Sequence, residues 1–175
     1  MKALPSLAAL AASLAAAAQT VAATAATADG SAMAMRILAL HNRERAAVGA
    51  PPLAWDPALA AAAASYGPAL AALGRLAHSP RATRPGQREN LAMGSASHYG
   101  PEDLVELWVD EKAHFRPGTF PDVSRTGEWR DVAHYTQMIW KGTTNVGCAM
   151  HAAAGRNYLI CRYSPPGNAD GRAVP

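Results

Sequence analysis

The sequence predicts an α+β fold in which helices pack on a mostly antiparallel sheet. Helical periodicity and helix-capping residues occupy the chain up to about residue 113, and three short strand-like segments follow toward the C-terminal end. The chain contains no internal repeat. Because the helices precede the strands along the chain, we expect them to cover the sheet that the strands form.

Residues 1–28 have the pattern of a secretory signal peptide. Lys2 provides a short positive segment, no other charged side chain precedes Asp29, and Ala26-Thr27-Ala28 is typical of a cleavage site. A retained membrane anchor is the alternative, but a segment made mostly of Ala and Thr inserts weakly into a bilayer. We therefore expect an exported protein, extracellular or periplasmic, in which residues 29–175 form a single domain.

The net charge argues against two classes of partner. The formal charge of the whole chain is +3, and removal of Lys2 with the signal peptide lowers it by one. No local run of Lys and Arg stands out in the sequence. Such a small excess of positive charge favours neither a nucleic-acid partner nor electrostatic binding to a membrane surface. No integral membrane span is expected after signal cleavage.

The chain contains two cysteines, Cys148 and Cys161. An even pair in an exported protein is typical of one disulfide. This disulfide would close a short loop and stabilise the folded chain by about 3 kcal/mol. Two free buried thiols are the alternative.

Three helices are predicted before the strands. The first, Met33 to Val48, mixes apolar with charged residues and ends at Gly49. The second, Pro57 to about Leu73, begins after Asp56, a good N-cap residue, with proline at the first helical position. The third, Pro101 to about Ala113, begins with acidic residues, which suit a helix N-terminus.

One carboxylate of the third helix is unusual. Leu104, Leu107, Trp108 and Glu111 are spaced to lie on one face of the helix, so the stripe that should pack inward ends in Glu111. A carboxylate on a buried face needs a partner. Glu111 is therefore a candidate functional residue.

Three strands are predicted, at Ala133–Trp140, Asn145–His151 and Asn157–Tyr163. In the first strand, alternation places His134 on the same face as Thr136, Met138 and Trp140. A titratable imidazole on a half-buried strand is a second candidate functional residue.

The other segments are expected to be irregular. Residues 74–100 and 115–130 contain several prolines and glycines, so both are predicted to be loops. Ordered structure is expected to end near Pro165-Pro166-Gly167-Asn168. Trp55, Trp108 and Trp140 are expected in the core, Trp129 is expected to anchor a loop, and four histidines are expected to be solvated: His41, His98, His114 and His151.

Six separated segments resemble, in the same order, the CAP superfamily of cysteine-rich secretory, antigen-five and plant pathogenesis-related class-one proteins. They are HNRERAAVGAPPLAWDPALA (residues 41–60), AHSP (77–80), ENLA (89–92), LWVDEK (107–112), HYTQMIW with NVGCA (134–149) and YLICRYSPPGN (158–168). A lone HYTQ is a weak signal, whereas six ordered blocks covering nearly the whole domain are specific. The resemblance implies a three-layer α-β-α sandwich with a mostly antiparallel central sheet.

The resemblance also implies a cleft that contains two histidines and two glutamates. Matched motif by motif, these are His78 from AHSP, Glu89 from ENLA, Glu111 from WVDE and His134 from HYTQ. Periodicity alone had indicated Glu111 and His134. Only the resemblance selects His78 and Glu89 from the other polar residues of their segment.

The sequence departs from the family pattern at several points. Arg88 and Ala133 stand where the family usually has glycine, so Arg88 is expected either to pair with Glu89 or to narrow the cleft. The insert between Glu111 and His134 resembles that of bacterial members. Extra disulfides and a cysteine-rich C-terminal module are absent from the sequence, so ion-channel and toxin roles are not expected.

Two histidines and two glutamates are typical of a metal site. Neutral imidazoles bind Zn²⁺ or another divalent cation, and carboxylates either ligate the metal or orient the imidazoles. The resemblance implies His78 and His134 as the ligands, with Glu89 and Glu111 as further ligands or as orienting groups. A metal-free charged network and acid–base catalysis are the alternatives.

The sequence leaves the activity of the cleft open. The resemblance implies one hypothesis, a binding protein for a lipid, a sterol or another extracellular ligand, including a protein, and we expect the protein to be a monomer. A secreted hydrolase similar to a protease is the alternative, with Ser79, Ser95, Ser97 and Ser124 as candidate nucleophiles. No G-x-S-x-G motif supports a hydrolase, and both cysteines are expected to be in the disulfide.

Overall fold

The computed structural model describes residues 30–175, and the predicted signal peptide, residues 1–28, lies outside these residues. Residues 36–175 form one compact unit, and the layers, sheets and cavity described below belong to this unit. Among residues 30–175, no helix is both long enough and apolar enough to cross a membrane.

The helices of the described chain are α1 (residues 30–47), α2 (Pro57–Leu73), α3 (Pro101–Asp110) and α4 (Ala133–Met138), with 3₁₀ turns at Arg81–Thr83, Glu111–Ala113 and Trp129–Val132. The strands are β1 (Ala54–Trp55), β2 (Arg88–Ser95), β3 (Phe115–Thr119), β4 (Asp122–Ser124), β5 (Asn145–Ala153), β6 (Arg156–Ser164) and β7 (Ala173–Val174). One sheet has the order β1-β5-β6-β2, and a smaller sheet has the order β4-β3-β7.

Helices cover both faces of the four-stranded sheet, which is antiparallel except for the pairing of β1 with β5. On one face, Leu70 of α2 packs in a buried cluster with Leu91 of β2 and Ile160 of β6. On the other face, Tyr163 of β6 hydrogen bonds to His41 of α1, and α3 contacts β2. The predicted α+β fold is therefore confirmed as a three-layer α-β-α sandwich.

The β5–β6 hairpin follows the prediction closely, and both strands extend a little beyond the predicted ends. Cys148 and Cys161 lie directly opposite each other on the two strands and form a disulfide. Ala154 and Gly155 connect the strands, and both have positive φ, at 48° and 71°. Such values match the two-residue turns that suit the twist of a β-hairpin.

The prediction of a strand at Ala133–Trp140 is wrong, because Ala133–Met138 form helix α4, which directly follows the 3₁₀ turn at Trp129–Val132. Residues 135–138 are all buried, so the helix is surrounded by protein. The alternation of apolar and polar residues therefore does not indicate a strand with one buried and one exposed face. The predicted face shared by His134 and Trp140 does not exist.

Two predicted loops contain strands. Within residues 74–100, β2 forms an edge of the main sheet, and its polar Arg88, Glu89 and Asn90 concealed the strand pattern. Within residues 115–130, β3 and β4 form part of the small sheet. Order also continues past Asn168, because β7 pairs with β3.

Helix α3 buries a different face from the one predicted. Leu104 and Trp108 are buried as expected, but Val105 and Val109 complete the buried face, and Leu107 is 41% exposed. The choice between two overlapping stripes depends on what the helix packs against, which periodicity alone does not determine. Of the other tryptophans, Trp140 is buried as predicted.

A buried hydrogen-bond chain starts at His41, which was predicted to be solvated but is fully buried. Its Nδ1 donates to the carbonyl of Ile37 at 2.8 Å, so Nε2 is left to accept from the Tyr163 hydroxyl, also at 2.8 Å. The Asn90 amide donates to Tyr163 Oη at 3.2 Å and to the carbonyl of His134 at 3.1 Å. The chain thus connects α1, β6 and β2 to α4.

Arg45 of α1 fixes the other end of α4. Its fully buried guanidinium donates hydrogen bonds at 2.9 Å to the carbonyls of Met138, Trp140 and Thr143. Burial lowers the pKa of Arg45 to about 10, so the group remains charged at neutral pH. Carbonyl oxygens left without partners at a helix C-terminus are well matched by such a cation.

We predict that Gly147→Ala destabilises the protein by about 3 kcal/mol, the size of a severe core overpacking effect. A Cβ at Gly147 of β5 would lie 2.3 Å from the amide nitrogen of Ala60 and 2.4 Å from the carbonyl oxygen of Asp56, both backbone atoms of the α2 N-terminus. Denaturant unfolding measures the change. Gly142→Ala is the control, because a Cβ there meets only the Trp140 side chain, and equal losses in both variants would contradict the prediction.

We also predict that His41 makes the folded protein sensitive to mild acid. Burial lowers the pKa of His41 to about 4, whereas the unfolded chain titrates near 6.5. The unfolded state therefore binds an extra proton between these values, so the free energy of unfolding falls as pH falls from about 6.5 to about 4. The full loss is about 3 kcal/mol.

Unfolding in urea between pH 7 and pH 4.5 measures this slope, above the range in which most carboxylates titrate. His41→Gln should flatten the slope, because glutamine can donate and accept without gaining charge. His98→Gln, a change at an exposed histidine, should leave the slope as in the parent protein. A parent-like slope in His41→Gln would rule out this assignment.

Candidate functional site

Three of the four residues expected in the cleft line one cavity of about 560 Å³: His78, Glu89 and His134. The fourth, Glu111, does not line the cavity but accepts a hydrogen bond from His134 Nδ1. His78 follows α2 on an irregular segment, Glu89 lies on β2, and His134 is in the first turn of α4. The fold therefore brings both His–Glu pairs to the same place.

The first pair is His78 and Glu89. Glu89 Oε1 accepts from His78 Nδ1 at 2.8 Å and from the Ser79 amide at 3.0 Å, while Oε2 accepts from the Ser79 hydroxyl at 3.0 Å. Arg162, the cross-strand neighbour of Glu89, places Nε 3.0 Å from Oε2 at an angle unsuited to a hydrogen bond. Because a carboxylate only accepts, His78 Nδ1 carries the hydrogen and Nε2 is left free to bind.

These contacts keep Glu89 ionised despite its burial. Burial raises the pKa of Glu89, but the hydrogen bond from His78, the charge of Arg162 and the hydrogen bonds from Ser79 outweigh it. The pKa of Glu89 therefore lies below its ordinary value, and the group is a carboxylate at neutral pH. A buried carboxylate of this kind fixes the orientation of the imidazole next to it.

The second pair is Glu111 and His134. Glu111 Oε1 lies 2.5 Å from His134 Nδ1, and Oε2 accepts from the backbone amides of His134 and Tyr135 at 2.9 Å each. Glu111 therefore caps the N-terminus of α4 and orients the imidazole with the same carboxylate. The Trp108 ring stacks on His134, with centroids 5.9 Å apart and planes 16° from parallel.

Arg88 does not pair with Glu89. Its guanidinium donates instead to the carbonyl of Gly167 at 2.9 Å and to that of Asn168 at 3.1 Å, and Arg88 lines the cavity. The Asn168 amide in turn donates to the carbonyl of Ala133 at 2.8 Å. The two residues that replace the glycines implied by the resemblance thus lie on the cleft wall, joined through the segment after β6.

Sequence reasoning missed the contribution of Asn90. Asn90 lies in β2 and donates to the backbone carbonyl of His134. Its position next to Glu89 on an alternating strand puts the two side chains on opposite faces of the sheet. Recognising β2 as a strand would have predicted this separation.

The candidate serine nucleophiles are not arranged for catalysis in the cleft. Ser79 is buried, donates its hydroxyl to Glu89 and accepts from Arg162 Nη2 at 3.0 Å. Ser97 hydrogen bonds to His98 at 2.7 Å in an exposed turn that does not line the cavity. Neither arrangement combines a free hydroxyl with a base and an orienting carboxylate.

Among residues 30–175, no group of three or more His, Cys, Asp and Glu side chains is arranged to hold a metal ion. The cleft instead offers the Nε2 atoms of two imidazoles. Within the described chain, neither Nε2 is hydrogen bonded to a protein group; both histidines engage the protein through Nδ1. Two such nitrogens can act as ligands to one ion or as hydrogen-bonding groups to a ligand in the cavity.

Comparison with known proteins gives a consistent family. Pathogenesis-related protein 1B from Nicotiana tabacum is 39% identical over 138 residues, which cover 78% of this chain and 77% of that protein. A pathogenesis-related protein of PR-1 type from Sambucus nigra is 35% identical over 133 residues, covering 75% of each chain. The crystal structure of NaASP2 with Zn²⁺ superposes with a TM-score of 0.69 at 25% identity, covering 81% of this chain and 84% of the other.

The model of the cysteine-rich secretory protein family matches residues 38–163. The match includes all four residues of the two His–Glu pairs and the disulfide. It also covers α2, α3, α4 and the four strands of the larger sheet except for Ser164, the last residue of β6. Because the match spans well over half of the sequence, this chain belongs to the cysteine-rich secretory protein (CAP) family.

Proposed function

We propose that this chain is a secreted CAP protein that binds a divalent cation through the Nε2 atoms of His78 and His134. Zn²⁺ is the cation that suits these ligands. The observation that carries the proposal is the orientation of the two rings. Each imidazole holds Nδ1 against a carboxylate, Glu89 or Glu111, and leaves Nε2 for the cavity. Metal-binding histidines almost always donate their other ring N–H to an acceptor in this way.

The residues present fit zinc chemically. Imidazole nitrogen is a common zinc ligand, and a carboxylate behind each ring fixes the tautomer and makes Nε2 more basic. With two protein ligands, the remaining positions would belong to water or to an extracellular ligand, and a bound Zn²⁺ would act there as a Lewis acid. The structural relative NaASP2, whose crystal structure is described with Zn²⁺, supports this choice of metal.

The same contacts also fit a network that works without metal. The pair His78–Glu89 fastens the segment after α2 to the sheet, and the pair Glu111–His134 fastens α3 to α4. Both roles are compatible, because the carboxylates act on Nδ1 and a metal would act on Nε2.

An extracellular ligand of the cleft is part of the proposal. The cavity lining contains several charged and amide side chains, among them Arg88, Asn90 and Gln137, which favour a polar ligand over a sterol. A hydrolase receives no support, because the Ser79 hydroxyl is engaged by Glu89 and Arg162. Secretion is supported by the sequence of residues 1–28 and by the disulfide between Cys148 and Cys161.

We predict that the purified, metal-free protein binds Zn²⁺ with one site per chain. Titration calorimetry at pH 7.5 should show micromolar or tighter binding, and bound metal should raise the Tm because it binds only the folded form. His78→Ala and His134→Ala should each abolish the site. Binding should weaken at lower pH, because protons compete with the metal for imidazole.

His98→Ala is the matched control, since His98 is exposed and does not line the cavity. Glu89→Gln should weaken binding about tenfold to a hundredfold, as expected when an orienting carboxylate is lost. Circular dichroism must show that each variant is folded. Absence of binding heat at micromolar Zn²⁺ in the parent protein, or equal binding in His78→Ala and the parent, would reject the metal site.

We predict that expression with the natural N-terminus yields an exported protein that begins at Asp29. The Ala26-Thr27-Ala28 sequence is the expected recognition site for the signal peptidase. N-terminal sequencing of protein from the medium or periplasm checks the cleavage point. Recovery of the intact chain in the membrane fraction would instead support a retained anchor.

A further inference from the structure

We infer that the cleft binds small organic anions through arginines that the fold gathers beside the two histidines. Arg81, Arg84 and Arg88 lie on the segment that leads from His78 into β2, and all three line the cavity. They are spaced along the sequence and form no obvious basic run. The 3₁₀ turn at Arg81–Thr83 and the start of β2 bring them to one wall of the cleft.

The charge of these arginines is not neutralised by the protein. Arg84 Nε donates to the carbonyl of Ser79 at 3.2 Å, and Arg88 Nε donates to the carbonyl of Gly167 at 2.9 Å. Within residues 30–175, the Arg81 side chain forms no hydrogen bond, and none of the three arginines forms a salt bridge with a carboxylate. Carbonyl partners satisfy N–H donors but leave the positive charge in place.

The carboxylates of the cavity lining do not balance the arginines. Glu89 is already matched by Arg162, and Asp170 is exposed and makes no salt bridge within the described chain. Burial and the nearby charges of Arg81 and Arg84 lower the pKa of Arg88, and Asp170 opposes this effect only in part. The cavity therefore has a positive potential that attracts anions.

The remaining lining indicates that the anion has an organic body. Phe120, Pro121 and Trp129 line the same cavity and provide apolar contact area. Arginines suit phosphate and carboxylate groups because the guanidinium donors match their oxygens. A phosphate or carboxylate carried on an aromatic or apolar body thus matches both parts of the lining better than an inorganic ion or a neutral ring.

This inference goes beyond the proposed zinc site and does not depend on it. The arginines belong to the chain itself, so an anion can bind to metal-free protein. To test the two proposals separately, metal is removed from the protein over a chelating resin. A soluble polyanionic chelator is avoided because it would compete for the same arginines. If the protein does not bind zinc, the anion proposal can still hold. If the protein does not bind the anion, the zinc proposal can still hold.

The test is titration of metal-free protein with phenylphosphate, inorganic phosphate and phenol at low ionic strength. Phenylphosphate should bind more tightly than either of the other two, and added salt should weaken its binding. Arg81→Gln should weaken phenylphosphate binding about tenfold, through loss of a charge-assisted contact. Asp170→Asn should strengthen it about twofold, because it removes an opposing charge from the lining.

Arg156→Gln is the matched control, because it removes the same charge at the far end of β6, where Arg156 contacts Gly74 and Met93 instead of the cavity. This control should bind phenylphosphate as the parent does. Equal affinity in Arg81→Gln and the parent would overturn the inference, as would phenol binding as tightly as phenylphosphate. Equal losses in Arg81→Gln and Arg156→Gln would show a general charge effect and would also overturn it.

Discussion

The carboxylate of Glu111 is the contact on which the candidate site depends. Helix α4 has six residues and begins after Val132, which has no side chain that can cap it. Glu111, at the end of α3, accepts from the amides of His134 and Tyr135 and from His134 Nδ1. One residue therefore satisfies the start of the helix, joins it to α3 and orients its imidazole, so the same carboxylate fixes the N-terminus of α4 and the direction of His134.

The two His–Glu pairs achieve the same orientation with different support. Glu89 is fully buried and is held by Arg162 and Ser79, whereas its partner His78 is 54% exposed at the cavity rim. In the other pair, both groups are only partly exposed, and His134 is held from behind by Trp108 and by the Asn90 amide on its backbone. The cleft thus combines an exposed imidazole on a buried carboxylate with a less exposed imidazole at the N-terminus of a helix.

Sequence reasoning succeeded where local chemistry decides the structure. Asp56-Pro57 begins α2, and the apolar runs on either side of Gly155 form the β5–β6 hairpin with its disulfide. It failed where distant partners decide: Glu111 caps α4 from 23 residues away, and the polar Glu89 and Asn90 of β2 hydrogen bond to His78 and to Tyr163. Periodicity could indicate Glu111 as unusual, but His78 and Glu89 were identified only by resemblance, since nothing local distinguishes them.

Arg88, which stands where the family usually has glycine, contributes both packing and charge to the cleft wall. At the first residue of an edge strand, its guanidinium holds the carbonyls of Gly167 and Asn168, and the Gly167 amide donates to Gln137 of α4 at 3.0 Å. A side chain in this place ties β2 to the segment after β6 and, through it, to the helix that carries His134. Its positive charge is therefore inseparable from the packing of the cleft wall. Arg81 makes no such contacts within the described chain, so it is the position at which the charge of the cleft can vary while its shape is kept.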